Sequence, residues 1–140
     1  MSAESSKELV ESTFKALNQR DLETVVTHYT PDCRFHGWAP ETLDVNGYKA
    51  AMSAILAGFP DSRFIVDDVV AEGNLVAVRH HFQGTHRAEF QGIPATGNAV
   101  TANAIVMFRI EKGVAAELWL NADFLGLMQQ LGVIPAPEHS

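Results

Sequence analysis

Histidine and aspartate side chains are the groups in this sequence best suited to moving a proton. His36 follows a short apolar segment, His80 lies in a stretch rich in β-branched residues, and Asp123 precedes an amphipathic segment. An imidazole titrates near neutral pH, and an apolar surrounding raises the pKa of a carboxyl into the same range. We therefore treat His36, His80 and Asp123 as the candidate catalytic acids and bases.

Each of these candidates also has a purely structural interpretation. His36 could be a surface histidine or a satisfied core histidine. His80 and His81 are adjacent and must face opposite sides of a strand, and His80 has the parity of its apolar neighbours. Asp123 could instead cap the helix that follows it. A carboxylate that accepts a backbone N–H bond has a lowered pKa, which makes it a poor acid.

Other catalytic and metal-binding patterns are missing from the sequence. The histidines lack the spacing of a metal site, and there is no nucleophile elbow, phosphate-binding loop, dinucleotide fingerprint or CxxC pair. Cys33 is the single cysteine, which excludes an internal disulfide. We therefore expect neither a metal ion nor an organic cofactor.

Length and charge narrow the class of protein. The chain has 140 residues, 46% of them hydrophobic, and a formal net charge of −7. This length predicts one domain over 1–140, with a core at about 7–132 and a loose tail at 133–140. An acidic chain is a poor partner for nucleic acid or an anionic membrane. No segment is apolar for the roughly 18 residues of a membrane span, so a cytoplasmic location is the default expectation.

The first third of the chain has the periodicity of helices. Ser5 and Glu8 have the spacing of a capping box before a stripe of apolar residues, and Asp21 can cap a second, short helix. The predicted helices span about 5–17, 21–29 and 48–56, with a short strand at 33–36 between the second and the third.

After Gly58 the sequence becomes rich in β-branched residues and predicts a meander of strands. Strands are expected at about 62–72, 75–83, 99–110 and 114–121, and a final helix at 123–131. Helices segregated from antiparallel strands indicate an α+β fold. A curved sheet wrapped over helices would leave a cone-shaped interior, whose open end suits a small ligand.

Several short motifs give the sequence a family likeness. They are Gly84-Thr85-His86, Glu89-Phe90-Gln91-Gly92-Ile93-Pro94, Thr96-Gly97 and Gln130-Leu131-Gly132. With these the chain resembles the SnoaL-like family of polyketide cyclases and their relatives, within the nuclear-transport-factor-like α+β barrels. The resemblance implies a cone-shaped barrel with the N-terminal helices in the concave face of a curved, mainly antiparallel sheet. It also implies a hydrophobic cavity for a planar aromatic polyketide and an aspartate acid/base that needs no cofactor.

The sequence departs from this resemblance at the two groups that it implies for catalysis. The position of the acid, three residues before Asp123, is Leu120, and the position of an accompanying histidine is Val106. Hydrocarbon cannot transfer a proton. Strand parity groups Leu120 with Leu118 and Val106 with Phe108. We therefore predict that the floor of the cavity is apolar and free of acid.

Flat aromatic ligands favour aromatic and flexible apolar walls. The expected substrate-binding residues are Phe14, Trp38, Met52, Phe59, Val106, Phe108, Leu118 and Leu120. Trp119 has the opposite parity and should lie on the outer face of the sheet, which could form a homodimer interface.

Three functions are compatible with these patterns. The first is hydroxylase-like tailoring of an apolar, anthracycline-type polycycle, because the pattern resembles the branch of the family that keeps the cavity but changes the cyclase groups. The second is a cyclase, isomerase or hydrolase that uses His36, His80 or Asp123. The third is a non-catalytic barrel that binds a small molecule, as expected when a cavity loses its catalytic groups.

Overall fold

The structure, a computed structural model, describes residues 2–135. The elements in chain order are α1 (Ala3–Asn18), α2 (Leu22–Thr27), β1 (Tyr29–His36), α3 (Val45–Gly58), β2 (Arg63–Glu72), β3 (Leu75–Thr85), β4 (Ala99–Glu111), β5 (Val114–Ala122) and α4 (Phe124–Gln130). The order of helices and strands confirms the predicted α+β class. The predicted loose tail lies mostly outside the described residues.

The helices begin at side chains that accept hydrogen bonds from the first turn. Ser2 caps α1, and the backbone N–H of Ser5 donates to its Oγ at 3.1 Å. The predicted pairing of Ser5 with Glu8 is therefore wrong, because Ser5 is the third residue of the helix and not its cap. Asp21 caps α2 as predicted, accepting from Thr24 N–H at 3.1 Å.

Strand β1 begins earlier than the sequence indicated. The predicted second helix ends at Tyr29 and the predicted strand starts at Cys33, but Tyr29 and the three residues after it belong to β1. Proline is tolerated because β1 is the edge strand of the sheet, where a missing N–H need not interrupt the hydrogen bonding. The register with β5 is irregular between Tyr29 and Arg34.

The five strands form one mixed sheet in the order β1-β5-β4-β3-β2. Strands β2 to β5 are an antiparallel meander, and β1 joins β5 in parallel. The register is irregular between Val66 and Asp68 and between Arg109 and Ile110. Irregularities of this kind bend strands, and the sheet curves around the helices that pack on it.

One face of the sheet is buried and the other is open. On β4, Val100, Ala102, Ala104, Val106 and Phe108 are buried and alternate with exposed residues. Helix α1 packs mainly against β2, α3 against β1, and α4 against β4. The buried face and these helices enclose the core and the space described below.

Helix α4 is fixed to the sheet by one side-chain amide. Gln130 Nε2 donates to the carbonyl of Thr101, and the N–H of Thr101 donates to Gln130 Oε1, both at 2.8 Å. Gly132, at φ 82°, then ends the helical segment in the left-handed conformation that favours glycine. Within residues 2–135, no helix is both long enough and apolar enough to cross a membrane.

Candidate functional site

A cavity lies between the buried face of the sheet and the helices. About 170 Å³ of it is open to the centres of water-sized molecules, roughly ten times what a single water needs. Its walls come from α1, α3, α4, all five strands and the loops after β1, α3 and β3. Among the described residues that line the cavity, Asp123 is the only one with a carboxyl group. The cavity therefore suits a ligand much larger than water whose surface is mainly apolar.

The floor of the cavity has the apolar character that strand parity predicted. Val106 is paired with Leu120 across β4 and β5, and Phe108 is paired with Leu118. All four side chains line the cavity. The four other expected wall residues, Phe14, Trp38, Met52 and Phe59, line it as well.

His80 is the histidine that faces the cavity. Its side chain is 6% exposed and packs edge-on against Phe14 with ring centroids 5.0 Å apart. Among the residues the structure describes, Nδ1 of His80 is buried without a hydrogen-bond partner. Burial lowers the pKa of this imidazole below its usual value. His80 is therefore neutral near pH 7 and has a lone pair that can accept a proton.

His81 faces the other side of β3, as parity requires. Its Nδ1 lies 2.8 Å from Asp67 Oδ2 on the neighbouring strand β2. The Asp67 pKa is lowered, chiefly by this hydrogen bond. This pair lies away from the cavity lining.

His36 lies on the outer face of the sheet and does not line the cavity, so its surface interpretation fits and a catalytic role in the cavity does not. Its Nε2 lies 2.7 Å from Glu117 Oε2, its Nδ1 lies 3.1 Å from Thr42 Oγ1, and its ring stacks on Trp119. The physical reason is register: β1 pairs in parallel with β5, which sets His36 opposite Trp119. The hydrogen bond from His36, together with one from Arg109, lowers the pKa of Glu117.

Asp123 lies at the cavity mouth and caps α4. Its Oδ1 accepts a hydrogen bond from Gly126 N–H at 2.8 Å, and the residue is exposed. A β-carbon at Gly126 would lie 2.2 Å from Asp123 Oδ2, so glycine is needed for this close approach. The capping interpretation of Asp123 thus has a direct geometric basis.

Two tyrosines supply polar atoms that the sequence analysis missed. Tyr29 and Tyr48 both line the cavity, and Tyr29 OH donates to Tyr48 OH at 3.1 Å. The sequence carried a signal for Tyr48: it precedes Met52 by four residues, so the two share a helix face. Tyr29 was assigned to a helix, and its position could not be inferred without knowing that β1 starts there.

Charged groups elsewhere in the molecule do not form a competing reactive centre. Between α1 and β2 lies a shallow groove lined by mixed charges, among them Lys15, Arg63 and Asp67. Within residues 2–135, no three His, Cys, Asp or Glu side chains are grouped so that they could hold a metal ion. Cys33 is fully buried, and burial raises the pKa of its thiol to about 12. It remains a thiol at neutral pH, which makes it a poor nucleophile.

A largely apolar internal cavity with a buried imidazole in its wall is typical of a site that binds or converts a small organic molecule. Residues 7–131 match the family model described as SnoaL-like polyketide cyclase. The chain belongs to the SnoaL-like polyketide cyclase family.

Three solved structures are similar to the chain over nearly its whole length. AclR, a candidate hydroxylase from Streptomyces galilaeus, is 28% identical over 96% of this chain and 100% of its own, with a TM-score of 0.89. IdmH, a candidate polyketide cyclase from Streptomyces antibioticus, is 32% identical over 91% and 98%, with a TM-score of 0.80. TsrD from Streptomyces laurentii is 30% identical over 96% and 99%, with a TM-score of 0.85. No curated protein matches the chain.

Proposed function

We propose that this protein is a tailoring enzyme of aromatic polyketide biosynthesis that hydroxylates an apolar polycyclic substrate bound in the cavity. The observation that carries the proposal is that Leu120 and Val106 form the cavity floor where the family resemblance implies an acid and a histidine, while His80 is a buried neutral base in the wall. The likeness to AclR, a candidate hydroxylase, supports the same assignment.

The walls would hold a flat, apolar ring system by burying it. Phe14, Trp38, Met52 and Phe59 offer aromatic and flexible surfaces, and the hydrocarbon floor adds no charge. Each square ångström of apolar surface removed from water contributes about 25 cal/mol, so burial alone can drive binding. Among the described lining residues, the carboxylate of Asp123 is exposed at the mouth and the rest of the wall is mainly apolar, which favours a substrate that is neutral before the reaction.

In the proposed reaction, His80 takes a proton from a phenol or an activated ring C–H of the substrate. The resulting carbanion, or the carbanionic ortho or para carbon of the resulting phenolate, forms a C–O bond to molecular oxygen and, with one proton, gives a hydroperoxide. A two-electron reductant with two protons then splits the O–O bond to give the alcohol and water. Molecular oxygen is the oxidant, and the reductant is a thiol or a reduced nicotinamide. The lowered pKa of His80 keeps the imidazole in the form that accepts the first proton.

The test uses a tetracyclic anthracyclinone, dithiothreitol and ¹⁸O-labelled molecular oxygen. We expect a hydroxylated product that carries one labelled oxygen atom. His80→Phe should lose at least 100-fold in turnover, the lower range for a general base. His81→Phe, on the outer face, should keep turnover. Unlabelled product, or full turnover by His80→Phe, would reject the proposed reaction.

Acid–base chemistry without oxygen is the second candidate. The neutral imidazole of His80 and the 32% identity to IdmH, a candidate polyketide cyclase, favour it. A cyclase or isomerase would convert its substrate under argon at the same rate as in air. The same anthracyclinone incubation repeated without oxygen therefore separates the two candidates. Binding without conversion under both atmospheres would favour the non-catalytic barrel.

We further propose that the outer face of the sheet pairs with a second copy of the chain. Ile105 and Met107 are 51% and 36% exposed on β4, and Met107 lies beside Trp119 of β5 in the sheet register. Adjacent apolar side chains on an open sheet face are typical of a homodimer interface. We propose a cytoplasmic location for this dimer.

A further inference from the structure

The phenol pair in the cavity has a hydrogen-bond donor left over. Tyr29 and Tyr48 are 6% and 3% exposed, and the proton of Tyr29 is used in its bond to Tyr48 OH. A phenol carries a single proton, so Tyr48 still has its own proton to donate. Among the residues the structure describes, no acceptor engages it.

Both phenols stay protonated at any physiological pH. Burial raises the pKa of Tyr48 to about 12 and the pKa of Tyr29 well above its usual value. Neither can act as a base, and the pair can contribute only hydrogen bonding at neutral pH. A buried donor without an acceptor costs about 1–3 kcal/mol, which a matching ligand atom would recover.

The ring of Tyr48 is held in place on three sides. It stacks on Phe35 with centroids 4.3 Å apart, and Tyr29 and Trp38 meet it edge-on at 5.3 and 5.5 Å. Aromatic contacts of this kind restrict the ring to one orientation. Its hydroxyl is thus a donor in a fixed position, which is the property that orients a ligand.

The pair formed by Tyr29 and Tyr48 and the side chain of His80 approach the cavity from different sides. Tyr29 belongs to the edge strand β1, whereas His80 belongs to β3, three strands away. At ~4.8 Å per strand, these strands are separated by about 14 Å. The phenol pair therefore lies toward the β1 side of the cavity and His80 toward the β3 side, so an elongated ring system suits a ligand that approaches both.

We infer that the Tyr48 hydroxyl donates a hydrogen bond to a ring carbonyl oxygen of the ligand, and that Tyr29 orients this hydroxyl. The inference rests on the proposed function and makes it more specific: the ligand is a keto- or quinone-bearing polycycle, and not a plain hydrocarbon. The bond fixes which end of the ring system lies at the β1 side of the cavity and which end meets His80.

The test compares two probes of the same tricyclic shape, 9,10-anthraquinone and anthracene. Binding is followed by quenching of Trp38 emission in a Trp119→Phe background, where the tryptophan that lines the cavity is the sole reporter. One hydrogen bond changes affinity by about fivefold to tenfold. Tyr48→Phe should weaken anthraquinone binding by about that factor and leave the anthracene affinity within about twofold. Tyr29→Phe should weaken anthraquinone binding by a smaller factor, about twofold to threefold.

An infrared measurement separates hydrogen bonding from a mere change in the wall. The carbonyl band of bound anthraquinone should shift to lower frequency in the parent protein and return toward its free value in Tyr48→Phe. An unshifted band, or equal loss of affinity for both probes, would overturn the inference while leaving the proposed cavity binding intact. If neither probe quenches Trp38, cavity binding itself is refuted, and the inference falls with it.

Discussion

His80 supplies a basic side chain to a cavity wall that is otherwise mainly apolar. It is a neutral imidazole that burial has deprived of both water and a partner for Nδ1 among the described residues. That arrangement costs folding free energy, because an unpaired buried polar atom loses its hydration.

The stability of the protein should depend on pH through His80. Burial sets the folded pKa of His80 below the ordinary value of 6.5, so the unfolded chain binds this proton more readily. The contribution to stability is complete above the unfolded pKa and is lost as pH falls through the folded one. Urea unfolding between about pH 7 and about pH 5 should therefore show a smaller loss of stability in His80→Gln than in the parent. In the control His81→Gln, His80 is intact, so its contribution to the loss of stability at low pH should remain. An equal loss of stability in His80→Gln and in the parent over this pH range would contradict the prediction.

A carboxylate introduced at the cavity floor should report how accessible that floor is to water. Leu120→Asp should lower the free energy of unfolding at pH 7 by about 2–4 kcal/mol, from lost apolar contact and a buried charge. An apolar setting raises the folded pKa of the new carboxyl, so stability falls as pH rises through that value. Leu120→Asn is the matched control without a charge. The stability gap between the two variants should widen from about pH 5 to about pH 8, and a constant gap would mean that the floor is wet.

Single-residue reasoning from sequence succeeded where strand parity applied. The alternation on β4 and β5 correctly predicted that Val106 and Leu120 face inward and Trp119 outward. Reasoning from single residues failed for His36. The face of the sheet on which His36 lies depends on the parallel pairing of β1 with β5, which no local sequence pattern shows. The same reasoning also missed Tyr29, whose strand was taken for the end of a helix.

At the scale of elements, the junction after β1 is held against β5 by one glycine. Gly37 has φ 104°, and a β-carbon there would lie 2.0 Å from the carbonyl oxygen of Leu120. No side chain fits in this space, so the chain after β1 can pass this close to the backbone of Leu120 only with glycine at position 37. The contact keeps the backbone of Leu120, and with it the cavity floor, in register.

Gly37→Ala should therefore be far more harmful than an ordinary glycine substitution. The clash with backbone predicts a loss of about 3 kcal/mol or more in the free energy of unfolding. Gly73→Ala is the matched control, because Gly73 also has positive φ, at 60°, but a β-carbon there meets nothing within 4 Å. It should cost only about 1 kcal/mol from backbone strain. Equal losses in chemical denaturation would contradict the close approach seen at Gly37.

Element boundaries from sequence were accurate in the meander and poor before it. The strands β2 to β5 follow from β-branched runs bounded by Gly73 and Gly113, and their ends lie within two residues of the predicted ones. Hairpins are local, so turn chemistry and alternation carry most of the information. Strand β1 pairs with a segment some eighty residues later in the chain, and α1 starts at a cap that the Ser5–Glu8 pattern obscured.

At the scale of the whole molecule, a sheet with one buried face and one exposed face accounts for both the cavity and the proposed dimer. The buried face of β3, β4 and β5 encloses the ligand space, and the opposite face leaves Ile105 and Met107 exposed. Replacing both with charges, Ile105→Glu with Met107→Lys, should give a monomer in sedimentation equilibrium. The control Leu125→Glu, also at an exposed apolar residue but on α4, should leave the mass unchanged. A parent protein that sediments as a monomer would contradict the proposed interface.

Binding inside the cavity, against hydrocarbon on β4 and β5, is what the account depends on. Intermolecular NOEs between a bound anthracyclinone and ¹³C-labelled methyl groups measure it most directly. We predict cross-peaks from the aromatic protons of the ligand to the methyls of Val106, Leu118, Leu120 and Met52. Cross-peaks confined to Ile105 and Met107, on the outer face of the sheet, would contradict the account.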